Sequence, residues 1–352
     1  MHRGLKVNFP RVRSCRLPDG VAVFGGERFL TCESGEGTST VATRLIIDTD
    51  AGVDDAIAIL LALASPEHTV AVITTVSGNV EVDKVVRNVG IVLDAARADQ
   101  IPIFRGAEFP LTVDRFHAAH VHGEDGLGDA GFRPSHRAAE KEDAVGALLR
   151  VARADPGGYE LITLGPLTNL ALALAMEPDL PRMFRRITVM GGAVRGMGNV
   201  TPVAEFNVYA DPEAAAVVFE RVPGLTLLPW EICLDCLVSF DRWRQITEAG
   251  PLGRRFVRPM TVKLQEFLRV RGIPGISLPD PLAMAAALDG RVVRTRPMRV
   301  DVETGGRLAR GLTASADERR STRPPNTHVV TSVDMPRFQL LLERTFKQDC
   351  GL

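Results

Sequence analysis

The sequence predicts an α/β fold: a single domain with a mostly parallel central sheet flanked by helices, and long loops carrying the site. Three observations predict it. Short β-branched apolar runs alternate with segments of helical periodicity, the pattern of a parallel sheet covered on both faces. Hydrophobic residues make up 45% of the 352-residue chain, enough for one large core. Two glycine-bearing stretches between these elements are too long to be connectors. In chain order, residues 45–47 (Leu-Ile-Ile) read as a buried strand and 53–64 as a helix stopped by Ser65-Pro66. Residues 69–75 are β-rich, and 80–98 place apolar side chains at helical spacing. Further strands are expected at 161–163, 187–190 and 225–228, with helices after Thr168 and after Asp211. The long loops cover 114–137 and 191–207, and their Gly, His, Asn and Glu content favours function over disorder.

Composition excludes several function classes. The 42 basic and 43 acidic residues leave a net charge of −1, which argues against nucleic-acid binding by bulk positive charge. Aromatics at 5% are too few for a base-stacking surface. No run approaches the ~18 apolar residues that cross a bilayer. The basic residues Arg3, Lys6, Arg11 and Arg13 precede no apolar segment, so no secretory signal and a cytoplasmic location are expected. Five scattered cysteines (Cys15, Cys32, Cys233, Cys236, Cys350) fit a reducing compartment, and Cys233-Leu-Asp-Cys236 lacks the second pair of a zinc site. Residues 1–43, rich in Gly, Ser, Thr and Arg without periodicity, are expected to form a disordered extension, leaving 44–352 as the domain.

The chemistry concentrates in Asp48-Thr-Asp-Ala-Gly-Val-Asp-Asp55, which directly follows the first strand and opens a helix. Ligand crevices of open α/β sheets lie at the carboxyl ends of the strands. Gly52 is expected to permit a tight turn, bringing Asp50 to face Asp54 and Asp55. Four like charges so placed repel unless a cation sits among them, and all-oxygen ligands select Ca²⁺ or Mg²⁺ over zinc. Asp54 as a simple helix cap with solvated neighbours is the plainer alternative.

These residues resemble the signature of the inosine–uridine nucleoside hydrolases, DxDxGxDDAxA, apart from Ala51 where proline is usual. Thr74-Thr-Val-Ser-Gly-Asn79, His122-Gly-Glu-Asp-Gly-Leu127, Leu164-Gly-Pro-Leu-Thr-Asn169, Met190-Gly-Gly192, Gly198-Asn-Val-Thr201, Ala204-Glu-Phe-Asn207 and Pro279-Asp-Pro-Leu-Ala283 are similar to its later motifs, in the same order, over about residues 44–347. The resemblance implies a nucleoside hydrolase fold and Ca²⁺-dependent cleavage of the N-glycosidic bond of purine or pyrimidine ribonucleosides, giving base and ribose. It implies that Asp50, Asp55, Asp280 and the Leu164 carbonyl hold the metal, with Asp50 activating a metal-bound water. It places Asp54, Asn79, Asn199, Glu205 and Asn207 around the ribose. A homodimer or homotetramer is expected, with no nucleic-acid or membrane partner. Asp48 is expected to support its neighbours without touching the metal, and Asn169 to start a helix.

The chain departs from the pattern at Pro279, where many members have a histidine that protonates the leaving base. His122 is the substitute catalytic candidate, the plainer alternative being that His122 and His120 are exposed loop histidines. His117, His120 and His122 form a short cluster, where zinc is not expected for want of a nearby cysteine. Arg269 and Arg271 either approach the base or form a solvated helix end. Two other readings stay open: a weak or silent ribosyl-binding relative, and a hydrolase of a modified ribosyl compound. A phosphotransferase of the haloacid-dehalogenase type fits only the first motif, and Gly52 stands where it would place Thr or Val.

Overall fold

The computed structural model describes residues 42–317 and 319–352. All but the end of the extension expected at 1–43 lies outside them, as do Cys15 and Cys32. The strands are β1 (Thr43–Thr49), β2 (His68–Thr75), β3 (Ile103–Phe104), β4 (Tyr159–Thr163), β5 (Arg186–Met190), β6 (Leu225–Leu228), β7 (Val238–Ser239), β8 (Gly275–Ile276), β9 (Val293–Val302), β10 (Thr313–Ala316) and β11 (Thr327–Val333). The first seven helices are α1 (Val53–Leu63), α2 (Val82–Ala95), α3 (Ala119–His122), α4 (Ala144–Ala154), α5 (Thr168–Met176), α6 (Phe206–Ala210) and α7 (Pro212–Arg221). The rest are α8 (Trp230–Asp235), α9 (Phe240–Glu248), α10 (Arg258–Met260), α11 (Val262–Val270), α12 (Pro279–Leu288) and α13 (Met335–Phe346).

Nine strands form one sheet in the order β10-β9-β11-β6-β5-β4-β1-β2-β3, while β7 and β8 pair separately. Every neighbouring pair from β11 to β3 is parallel; only β9 runs antiparallel, to β11 and to β10. The predicted mostly parallel sheet between helices is therefore what the chain forms. Period-two alternation in β1 sends Leu45 and Ile47 to one core, shared with α1, α2, α12 and α13. Ile46 points into the other, shared with α4, α5 and α7. Helix α2 is shorter than the 80–98 expected, because Arg97 takes a left-handed φ of 55° that ends it.

The topology positions the site. Strand β1 has β2 on one side and β4 on the other, so the chain's winding direction reverses at β1, and a crevice opens beyond the carboxyl ends there. The segments following β1, β2, β4 and β5 all empty into it. Among the described residues no helix is long and apolar enough to cross a membrane. Cys233, Cys236 and Cys350 are free and buried, and burial pushes the Cys236 thiol up to about 11 and Cys233 up as well, leaving both protonated.

Candidate active site

Strand β1 ends in Asp48 and Thr49, and with Asp50 these side chains are fully buried. The turn into α1 differs from the one expected. Gly52 has an ordinary φ of −81°, and the left-handed residue is Ala51, at φ 34°. Its amide donates to Thr49 Oγ1 (3.0 Å), and its carbonyl accepts from Asn88 Nδ2 (3.1 Å). Gly52 is required instead for space: a Cβ there would stand 2.6 Å from both Asn79 Nδ2 and His122 Nδ1. Two of the free amides at the start of α1 are satisfied by side chains. Gly52 N–H donates to Asp55 Oδ2 (2.8 Å) and Val53 N–H to His122 Nδ1 (3.1 Å).

Each carboxylate is held differently. Asp55 accepts from Thr49 Oγ1 (2.5 Å) and Asn79 Nδ2 (3.2 Å) as well as Gly52. Asp50 Oδ2 accepts the Asn79 amide at 2.7 Å, while Oδ1 has no partner. Glycines 78 and 165 leave no room for any side chain but that of Asp50, since a Cβ on either would overlap its carboxyl group. Asp48 accepts from Thr74 Oγ1 (2.5 Å) and Asn169 Nδ2 (2.8 Å). Asn169 does more than start α5. It also donates to the Thr75 carbonyl (2.9 Å) and accepts from the Ala107 amide (2.9 Å), tying the ends of β1 and β2 to α5.

Asp280, in the first turn of α12, completes the cluster. Asp54, Asp55 and Asp280 each offer an oxygen, all within 4.8 Å of one another. This trio contains Asp54, which was expected on the ribose side, and lacks Asp50, whose carboxyl nonetheless feels the charge of Asp55. Burial and then the neighbouring carboxylates push Asp50 and Asp280 well above the usual carboxylate range. Asp55 is pushed up as well, and Asp54 to about 6 by burial. No Lys or Arg side chain pairs with any of them among the described residues. Asp48 Oδ2, Asp50 Oδ1 and Asp54 Oδ1 are buried with no hydrogen-bond partner. Buried acceptors left so cost about 1–3 kcal/mol each. A divalent cation would offset the charge and satisfy the orphaned oxygens of Asp50 and Asp54, and an oxygen-only donor set suits a hard ion. The residues fit a metal.

Above the carboxylates lies a cavity of about 500 Å³. Asp54, Asn79, His122, Leu164, Asn199, Glu205, Asn207 and Asp280 line it, while Asp50 and Asp55 lie beneath its floor with no exposed surface. Glu205 caps α6, accepting from the amides of Gly192 (2.7 Å), Asn207 (2.9 Å) and Val208 (3.2 Å), yet burial still pushes it up to about 7. Asn207 Nδ2 donates to the Leu164 carbonyl at 2.7 Å, which leaves Oδ1 to face a ligand. Asn199 Oδ1 accepts the Phe206 amide at 2.8 Å.

The three loop histidines have separate surroundings. His117 Nδ1 contacts the Gly78 carbonyl (2.8 Å), and the His120 ring lies 5.8 Å from that of Phe267 in the cavity wall. His122 is buried, 3.7 Å from Asp54 Oδ1, and burial pushes it down to about 4 against the opposing pull of Asp55. Since its Nδ1 accepts from Val53, its proton sits on Nε2, making it a neutral donor at pH 7. Much of the remaining wall is apolar, and Phe116, Trp230, Leu264 and Phe267 in it were not legible as a site. Such residues read as core until the fold places them.

Comparison with known proteins gives the family. The family model described as inosine-uridine preferring nucleoside hydrolase matches residues 45–339. The pyrimidine-specific ribonucleoside hydrolase RihA of Salmonella arizonae is 36% identical over 309 residues, 86% of this chain and 98% of that protein. A solved inosine-guanosine nucleoside hydrolase superimposes with a TM-score of 0.81 at 35% identity, over 88% of this chain and 99% of its own. The purine-preferring ribonucleoside hydrolase of Gardnerella vaginalis gives 0.80 at 31% identity, over 86% and 98%.

Proposed function

This chain belongs to the inosine-uridine preferring nucleoside hydrolase family, and from that premise we propose that it hydrolyses ribonucleosides to base and ribose with Ca²⁺ as its cation. The enzyme is an N-ribosyl hydrolase. The observation that carries the finer reading is the set of buried, mutually repelling carboxylates with orphaned oxygens beneath a nucleoside-sized cavity.

Asp50, Asp55, Asp280 and the Leu164 carbonyl would hold the ion, and Asp54 stands beside them. When bound, a divalent cation lowers the pKa of water and orders the hydroxyls of a sugar. Asp50 Oδ1, the orphaned oxygen, takes the proton of the attacking water, its other oxygen staying fixed on Asn79. Asp54, Asn79, Asn199, Glu205 and Asn207 surround the ribose and accept from its hydroxyls. As the N-glycosidic bond lengthens the sugar becomes oxocarbenium-like, and this acidic floor stabilises the positive charge. His122, at the end of α3 and held by the Val53 amide of α1, contributes Nε2–H to the bound nucleoside.

The test is ribose release from uridine, cytidine, inosine and adenosine, with calcium present and after chelation. Release that chelation abolishes supports the reading and ranks the bases. Tight nucleoside binding in the presence of calcium without release would favour the silent relative, which Pro279 makes a concrete alternative. We also propose a homodimer or homotetramer, read directly by light scattering.

A further inference from the structure

The departing base must carry away the bonding pair, and Pro279 has no proton to give it. His122, whose Nδ1 accepts from the Val53 amide, keeps Nε2–H to donate to the nucleoside, but as a neutral ring it offers no charge to balance a departing anion. The cavity does, however, contain one permanent cation among the described residues, Arg271, directly beyond the last turn of α11. Its guanidinium carbon lies 3.6 Å from the centroid of the Phe267 ring, which itself packs against His120. Stacking holds the guanidinium plane against the cavity wall, and no carboxylate pairs with it among the described residues, so its N–H fork is free for a ligand. Arg269, two residues earlier, is spent elsewhere: it lies 4.2 Å from the Phe240 ring centroid, bonds Gln265 at 3.3 Å and lines a different surface pocket.

The cavity is thus polarised. Its buried floor is anionic, where positive charge develops on the ribose; its exposed rim holds a guanidinium, where negative charge develops on the base. We propose that Arg271 is the catalytic group that receives the leaving base, which departs as an anion paired with the guanidinium. The C1′–N bond breaks with both electrons on the base nitrogen. The water oxygen forms the new C1′–O bond, and its proton passes to Asp50. The base anion takes a proton from solvent as it leaves, and Asp50 returns its own to solvent. The inference rests on the reading of the cavity as a ribonucleoside site.

The test compares Arg271→Met, Arg271→Lys and His120→Ala on uridine, inosine and 4-nitrophenyl β-D-ribofuranoside, with calcium present. Nitrophenolate is a stable anion and needs no help to leave. Arg271→Met is expected to lose about 10²-fold or more in kcat on uridine and inosine, the usual cost of one transition-state donor, and no more than about threefold on the nitrophenyl riboside. Arg271→Lys, which keeps the charge and loses the planar fork, is expected to fall between. Equal losses on all three substrates, or no loss, would overturn the assignment. So would a selective loss in His120→Ala that Arg271→Met does not show. If the unaltered protein releases ribose from none of the three, the reading of the site itself falls, and the inference with it.

Discussion

The two oxygens of Asp50 are held differently, and the proposed proton transfer rests on that division. Oδ2 is fixed by the Asn79 amide at 2.7 Å, while Oδ1 is buried and unpartnered between Gly78 and Gly165. Asp50→Asn keeps the shape, and its amide oxygen can still accept from Asn79, so the fold should survive. The basic oxygen is lost, and kcat should fall by about 10²–10⁴-fold, the usual worth of a general base. A circular dichroism spectrum like that of the unaltered protein with unchanged turnover would remove Asp50 from the mechanism. The ribose side makes its own prediction. In the proposed site Asn207 and the carboxylate of Asp54, whose Oδ1 has no partner, line the cavity as acceptors for the ribose hydroxyls. Sites built to bond a hydroxyl discriminate strongly against analogues lacking it. 2′-Deoxyuridine should therefore be cleaved far more slowly than uridine, and equal rates would show that these residues do not face the sugar.

At the level of elements, the β1–α1 turn shows both what could be read in advance and what could not. The acids after β1, the glycine and the helix that follows were legible, because parallel strands are continuous apolar runs and their carboxyl ends are where ligands bind. The backbone was not: the left-handed residue is Ala51, the one position that departs from the motif the sequence resembles, which has proline there. Proline is locked near φ −65° and has no N–H for Thr49 Oγ1. Ala51→Pro should therefore cost about 3 kcal/mol or more in urea unfolding, whereas Ala51→Gly should gain about 1 kcal/mol by relieving the strain. A stabilised Ala51→Pro protein would mean the turn adopts the other conformation. Less legible still were β9 and β10. Strand β9 carries Arg294, Arg296 and Arg299 around Pro297 and gives little apolar signal; β10 pairs only with its Arg299–Val302 end, so Pro297 lies where β9 has a partner on one side alone. The role of Asn169 was hidden for another reason: its partners Asp48, Thr75 and Ala107 lie far away in sequence, and only the sheet order brings them together.

For the molecule as a whole, the acidic floor couples folding to pH and to the cation. Asp48 and Asp54 are pushed to about 6 and Glu205 to about 7, chiefly by burial, from ordinary values near 4. Between about pH 4 and 7 the folded chain therefore binds more protons than the unfolded one. Stability falls as pH rises through that window. His122, pushed down to about 4, and His68, also pushed down by burial, act in the opposite sense below pH 6.5, but they are outnumbered by the carboxylates. Without a cation, the urea midpoint should accordingly be lower at pH 7 than at pH 5. A cation binds the ionised carboxylates and only in the folded chain, so it restores most where the loss is greatest, by about 2.7 kcal/mol at a hundredfold excess over Kd. Calcium should thus raise the pH 7 midpoint much more than the pH 5 midpoint and flatten or reverse the slope. Magnesium, smaller and more reluctant to shed water, should do so less well. A chelated protein equally stable at both pH values, and indifferent to calcium, would show that the carboxylates settle their repulsion by some means other than a metal.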